Sequence, residues 1–574
     1  MEQTENGGAR RRLDRSAFAA ALVSFAAALA VAFVLAGVTH PPSIFPKYLA
    51  AAAAPAAEQA ERLLDYSPLY LGLTRAVGAL APGYRPLLVL HGFLHAGTAG
   101  AVALAAALLA GPGWGLLAGL GVASYRPFLV YCGIHEPETL ILFCLALAIL
   151  MGLLARERLQ PGFAVLAFAA LAAAGLARPQ HLLLAPVWAL WIASGARSEG
   201  GENRRSARRW AWGTCLVVTA AVVGPLAVAR SLAAGFPTLM NPGAVFYEGN
   251  GPGATGLARF APPAVIELER AHREAFDYGH VAYRRIAAAA TSRPLPALRP
   301  PAANRYWSGL ALEAMAAWPL QAARRFGRKA AMSLMPYEGH DLVNAEQLER
   351  RLRPRLPWGF ALLLLALPWV PLACRERLRE LAGPLAVALL AAAVQVGLYA
   401  SARQRLPLAL ALWVAGPVLA ADLAGGRLRV GLRPLGGLLL GVLAALCLAQ
   451  ATARTALLDQ LGWDELLGTA PPSWGASLAA IEDGRALRPA LAESALCFRA
   501  GLALARQGRP ADALRALAPL VGTGSDFTVD DKDVGVPEYQ AALDLLVLGD
   551  RERARQAALA AERLRPDDPR VAAL

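Results

Sequence analysis

The chain has 574 residues, 56% of them apolar and 17% charged, with a mean hydropathy of +0.41. A soluble chain carries nearer a quarter charged residues, and here the apolar excess is gathered into runs of about the 20 residues that a spanning helix needs, which excludes a wholly soluble enzyme and a disordered chain. The net charge of +14 does not mark a nucleic-acid partner, because the basic residues cluster in short loops between apolar runs and form no stripe interleaved with aromatics.

Arg10, Arg11, Arg12 and Arg15 precede an unbroken apolar stretch from Ser16 to Val38, too long for a signal-peptide core and without a small-x-small cleavage site before Thr39. It reads as a retained first span behind a cytoplasmic N-terminus, residues 1–15. Further spans are expected near 86–110, 113–133, 138–154, 161–177, 180–195, 210–229, 357–373, 381–400, 406–422 and 434–452, with the 161–195 pair open to being partly re-entrant. The expected fold is therefore an all-α polytopic membrane protein of about eleven transmembrane helices over residues 16–452. Arginines recur in every second connection: Arg156 and Arg158, then Arg197, Arg204, Arg205, Arg208 and Arg209, then Arg375, Arg377 and Arg379, then Arg427, Arg429 and Arg433. The positive-inside rule places these connections in the cytoplasm and the others outside. The chain is thus expected in a plasma (bacterial inner) membrane.

Two large loops, 39–85 and 230–356, fall outside on this topology, and the second is expected to carry short helices lying on the membrane surface. Residues 453–574 form a soluble extracytoplasmic tail. Within it, Gly508 followed by Ala511 and Ala513, and Gly549 followed by Ala554 and Pro566, resemble tetratricopeptide repeats, with glycine at the turn and alanine where helices cross. Such a helical domain would suit a protein partner or simply cap the chain.

The six cysteines contain no CxxC pair, so neither a disulfide framework nor a zinc ribbon is present. Gly251-Pro-Gly253-Ala-Thr-Gly256 satisfies a dinucleotide fingerprint, but no βαβ pattern surrounds it. His91 and His95 share one helical face at i, i+4, a spacing that suits either a metal or hydrogen bonds between helices.

Chemistry is expected among ionisable residues on the outer side, since charge near a bilayer is costly. Asp65 lies in Leu64-Asp65-Tyr66-Ser67-Pro68-Leu69-Tyr70, where it could act as a base or cap the helix that begins near Pro68. Glu136 and Glu138 share the short turn Gly133-Ile134-His135-Glu136-Pro137-Glu138, where they could handle a proton or stabilise the next helix N-terminus. Matching cations are Arg178, Arg403 and Arg405, suited to phosphate or to lipid headgroups, and Arg126, which falls inside a predicted span and needs an anionic partner. The carboxylates leave open a divalent metal such as Mg or Mn.

Taken in order, Asp65 to Tyr70, Tyr131 to Glu138, Gly175 to Pro179, Asn241 to Gly256 and Arg403-Gln404-Arg405-Leu406-Pro407 resemble the GT-C superfamily of membrane glycosyltransferases. The bacterial protein mannosyltransferases and the lipid A aminoarabinose transferase are the nearest in kind. The resemblance covers about residues 10–425. It implies a transferase that moves a sugar from a polyprenyl phosphate or pyrophosphate to an unidentified glycan, lipid or protein acceptor at the extracytoplasmic face. In that scheme Asp65, Glu136 and Glu138 are catalytic, and Arg403, Arg405, Arg178 and Arg126 bind the donor phosphate. Tyr66, Tyr70, His135, Tyr247 and Asn250 line the substrate. The chain departs from the family after the first span, where Lys47 stands in place of the usual carboxylate, so the base falls to Asp65 or to a glutamate of the second loop. A ligase or polymerase of another fold, a lipid-linked sugar transporter and a non-enzymatic scaffold are the competing readings.

Overall fold

The computed structural model describes residues 15–38, 48, 52, 66–81, 83–158, 160–195, 201–234, 242–251, 254, 279–291, 300–333, 375–425, 510–517, 541, 545 and 550–564. Among them every regular element is helical and there is no strand. The chain divides into two units, one of residues 1–241 with 333–445, the other of 242–332 with 446–574.

The first unit holds α1 (Arg15–Val38), α2 (Pro68–Leu80), α3 (Arg85–Ala110), α4 (Pro112–Ser124), α5 (Arg126–Cys132), α6 (Glu138–Arg158), α7 (Pro161–Ala177), α8 (Leu184–Ala193), α9 (Gly201–Ala234), α14 (Arg375–Gly397) and α15 (Ala402–Ala424). The second holds α10 (Pro242–Asn250), α11 (Gly279–Ala290), α12 (Pro300–Ala317), α13 (Pro319–Ser333), α16 (Pro510–Leu517) and α17 (Arg551–Leu564). Among the described residues six helices are long and apolar enough to cross a membrane, in α1, α3, α6, α9, α14 and α15, and a seventh arises if the bent pair α4–α5 is one span. The protein is an all-α membrane protein.

Small residues set the packing of the first unit. Gly115 and Gly119 of α4 press on Ala103 and Ala107 of α3 and on Ser24 of α1, so that a Cβ at either glycine would collide. Without a hydrophobic force between helices in lipid, this close backbone approach is the main source of association. Trp191 of α8 fills the space opposite Gly152 of α6 and Gly383 of α14, and its indole N–H donates to Arg379 O at 3.0 Å. α15, buried nearly all round, forms the centre against α3, α4 and α6.

The expected elements are partly redistributed. The 180–195 run is a 3₁₀ turn, Pro179–Leu183, followed by the ten-residue α8. Arg126, expected inside a span, stands where α4 and α5 meet at a 52° bend. Pro127 supplies the cause: it has no N–H to donate to the carbonyl of Ala123, four residues earlier. His95 Nε2 faces that carbonyl instead at 3.4 Å, and His91 Nδ1 faces Cys132 O at the far end of α5 at 3.2 Å. Both histidines thus satisfy backbone groups released by a broken span. The expected spans at 357–373 and 434–452 lie outside the described residues, as does most of the 453–574 tail. Within the tail, α16 and α17 each begin two residues after the expected turn glycines, and Ala541, Leu545, Ala554 and Ala557 form a small core.

The second unit has its own core around Trp307 of α12, which packs edge-on against Tyr247, Tyr283 and Tyr306. The Trp307 indole donates to Tyr283 O at 2.9 Å, and the Tyr283 hydroxyl donates to Glu248 Oε1 at 2.8 Å.

Candidate functional site

The turn 133–137 ends at Pro137, and Glu138 opens α6, where a carboxylate is favoured by the helix dipole. Arg178 ends α7 in an extended conformation and directs its guanidinium onto Glu138 Oε1. Arg403 enters from the first turn of α15, which is capped by Ser401 Oγ accepting from Gln404 N at 3.3 Å. Three helices that are far apart in sequence therefore deliver Glu138, Arg178 and Arg403 to one point.

Arg403 stands 3.9 Å from Glu136 Oε2 and 3.7 Å from Glu138 Oε1, and its Nη2 donates to the Tyr399 hydroxyl at 3.1 Å. The first two separations are ion-pair distances, longer than a hydrogen bond. All three charged side chains are buried. Glu138 Oε2, His181 Nδ1 and Gln404 Oε1 are buried atoms without a hydrogen-bond partner in the structure. They border a cleft lined on its polar side by Glu138, Arg178, Gln180, His181, Arg403 and Gln404 and on its apolar side by Ile141, Leu142, Leu390, Ala391, Val394 and Leu406. Polar atoms at one end and aliphatic walls at the other suit an amphiphile with an anionic or multiply hydroxylated head.

Beside the glutamates, Tyr48 packs edge-on against Tyr66 at 5.2 Å and against Tyr70 at 4.7 Å. Burial, and then the negative charge of Glu136 and Glu138, raise the pKa of Tyr48. Tyr70 is raised for the same reasons, with Tyr48 adding to them. Both phenols therefore stay protonated and can only donate or accept hydrogen bonds. The Tyr70 hydroxyl lies 2.9 Å from His91 Nε2. Because Cys132 O can only accept, His91 Nδ1 carries the proton and Nε2 accepts from Tyr70. His135 donates to Tyr84 O at 3.1 Å, and burial lowers its pKa.

Asp65 lies outside the described residues. Arg405 is buried in α15 but does not line the cleft, since residues i and i+2 of a helix point to different faces. Arg126, half-buried at the α4–α5 bend, does not line it either. Tyr247 and Asn250 belong to the second unit, where Asn250 Oδ1 accepts from Lys329 Nζ at 2.7 Å and its backbone carbonyl from Arg325 Nη1 at 2.5 Å. Tyr48, Tyr399 and Gln404 were not expected. Gln404 carried a signal, standing between two arginines at a helix start, and Tyr48 and Tyr399 carried none that distinguishes them from other aromatics.

Among the described residues no group of three His, Cys, Asp or Glu side chains could hold a metal ion. Glu136 and Glu138 each face a guanidinium, a donor set that does not fit a divalent cation, and no step is assigned to one. No protein-family model matches the chain, and no curated protein matches it.

Proposed function

We propose that this chain is a membrane glycosyltransferase that moves a sugar from a polyprenyl phosphate, or pyrophosphate, to an acceptor hydroxyl at the extracytoplasmic face. The observation that carries the reading is Arg403: a buried guanidinium within ion-pair distance of two glutamates on the lining of a cleft that also has aliphatic walls. A lipid-linked phosphate matches both ends of that cleft, and guanidinium–phosphate contacts are strong and geometrically specific.

In this reading a carboxylate (Asp65, Glu136 or Glu138) takes the proton of the acceptor hydroxyl as its oxygen bonds the anomeric carbon. The anomeric carbon–phosphate oxygen bond breaks on the opposite side, and the polyprenyl phosphate leaves with the negative charge. Arg403 stabilises that charge. Arg178 keeps Glu138 in place as a carboxylate.

Charge distribution supports the outward orientation. Arg156 reaches Ser194 Oγ at 3.5 Å, and Trp191 reaches Arg379 O, so the basic turns after α6, α8 and before α14 share one end of the helices. Glu138 opens α6 and Arg403 opens α15, so the cleft belongs to the opposite end. With the basic end cytoplasmic, the cleft faces outward.

The test is purified protein in sealed proteoliposomes, given a panel of polyprenyl-phosphate sugars and acceptor hydroxyls, with free polyprenyl phosphate and donor sidedness measured over time. Release by the native chain that is lost in Arg403→Gln and in one of Asp65→Asn, Glu136→Gln or Glu138→Gln is the expected result, and the sensitive carboxylate is the base. Donor that crosses the bilayer unhydrolysed would replace the proposal with transport. Full turnover in Arg403→Gln would remove the cleft from the mechanism.

A further inference from the structure

The helices α12 and α13 of the second unit meet at an exposed apolar corner. Trp318 N donates to Ala314 O at 3.1 Å and Ala322 N to Trp318 O at 3.0 Å, so the chain turns from one helix into the next almost without a gap. Pro319 sits at that joint, and residues 316–321 are all exposed. Trp318 is 62% exposed, Leu320 64%, and Leu312, on the preceding turn and a half of α12, 56%. Trp307 of the same helix is 3% exposed, inside the core that the tyrosines build. The middle of α12 thus packs one tryptophan inward, while the joint that follows the helix presents another outward.

Among the other described residues, most large apolar side chains with this exposure lie on helices able to cross a membrane, such as Phe18, Leu22 and Val34 on α1, Leu216 and Val217 on α9 and Leu389 on α14, while Leu80 and Leu183 lie singly on shorter helices. On the spanning helices the exposed face is the one that meets lipid tails. The corner at Trp318 lies outside every such helix, so the same exposure calls for a different apolar cover. Three features of the sequence and geometry choose it. Tryptophan is the side chain best suited to the headgroup level, with an apolar ring and one polar N–H. Arg324 is exposed four residues after Leu320, on the same helical face, where its stem can lie along apolar surface while its guanidinium meets phosphate. The chain connection is also short, since Pro242 follows the end of the apolar window of α9 at Ala229 by only thirteen positions.

We propose that the α12–α13 corner is an interfacial membrane anchor: Trp318, with Leu320 and Leu312, enters the headgroup layer of the bilayer that the spans cross, and Arg324 contacts anionic phosphate there. The proposal does not depend on the reaction assigned to the cleft. Its consequence is that the second unit is held to the lipid surface through its own residues as well as through the chain connections to the spans.

The experiment places a photo-reactive benzoylphenylalanine at position 318 in the full chain, reconstituted in nanodiscs of phosphatidylcholine with phosphatidylglycerol. Position 320 serves as a second site, and Arg515, an exposed side chain on α16, as the reference. After irradiation, intact mass reports what was captured. Phospholipid adducts at 318 and 320, several-fold above those at 515 and reduced a few-fold by Arg324→Gln, are expected. Crosslinks from 318 and 320 to protein, within the chain or to a second copy, would show that a protein surface covers the corner and would overturn the anchor. Lipid adducts no higher than at 515 would overturn it equally.

Discussion

Two buried ion clusters lie at opposite ends of α15, about 28 Å apart by helix rise, and they are built in contrasting ways. At one end Arg377 holds Asp422 through two parallel hydrogen bonds of 2.6 and 2.8 Å, while its Nη1 donates to Glu380 Oε2 at 2.5 Å and to Leu109 O, near the end of α3, at 3.1 Å. At the other end Arg403 stands 3.7 and 3.9 Å from its two glutamates beside an open cleft. The first cluster uses its guanidinium fully and bridges α3, α14 and α15. The second stands on the lining of a cleft, with its carboxylates at ion-pair rather than hydrogen-bond distance. A charge tied into a bidentate pair away from that cleft serves the fold, whereas one that lines the cleft can also meet a ligand there.

The largest effect is expected at the saturated end. Arg377→Met leaves Asp422 buried without its bidentate partner and should cost about 3–5 kcal/mol of stability. Thermal unfolding in detergent would register this as a large fall in Tm, and Arg377→Met combined with Asp422→Leu should recover much of it. If the single variant melts like the native protein, the cluster is not a clamp. Arg403→Gln should act mainly on turnover. Removing a donor aimed at the developing charge costs on the order of 10²–10³ in turnover, while Glu138 keeps Arg178 as a partner, so Tm should fall by less than in Arg377→Met. A variant that loses Tm and keeps turnover would erase the contrast between the two ends.

Lys329 of the second unit adds a third arrangement. It is fully buried, donates to Asn250 Oδ1, and has its pKa pushed down to about 7, first by burial and then by Arg325. An unfolded lysine holds its proton up to about pH 10.4. Between about pH 7 and 10.4 the unfolded chain therefore binds more protons than the folded one, and stability should rise with pH across that window and level off above it. The rise should be visible in the unfolding of the native protein and absent in Lys329→Met. An identical slope in both would mean that the titrating group is another one.

The contrast between the ion clusters was only half legible in the sequence. Apolar runs announced the spans because hydropathy over about 20 residues is a local property, and α1, α3, α6, α9, α14 and α15 stand where those runs lie. The break at Tyr125 was also local, written in Pro127, but its meaning depended on His95 reaching Ala123 O from another helix. Glu138, Arg178 and Arg403 were recognisable as charges at helix ends. Their meeting was not, since residues 138, 178 and 403 are joined only by the packing of α6, α7 and α15. Composition likewise could not separate Arg403 from Arg377: each is an arginine within the first turn of a helix, and only the distances to their carboxylates tell them apart. The assignment of Tyr247 and Asn250 to the same site as Arg403 rested on order along the chain; within the second unit Tyr247 packs on Trp307 and Asn250 accepts from Lys329.

The smallest effect is expected between the cleft and the broken span. Tyr70→Phe removes the hydroxyl that donates to His91 Nε2 while keeping the ring that packs on Tyr48. A neutral hydrogen bond contributes about 1 kcal/mol net, and a buried acceptor left unsatisfied costs about 1–3 kcal/mol. His91 can ease that cost only by turning, which would release Cys132 O at the end of α5. The phenol thus secures the helix that leads into the Glu136 turn, and Tyr70→Phe should lower Tm by a few degrees with only a modest change in turnover. His91→Gln in the same background tests the chain of contacts: if the two changes add, Tyr70 and His91 act separately, and if the double variant is no worse than the weaker single one, they hold the Glu136 turn as a unit.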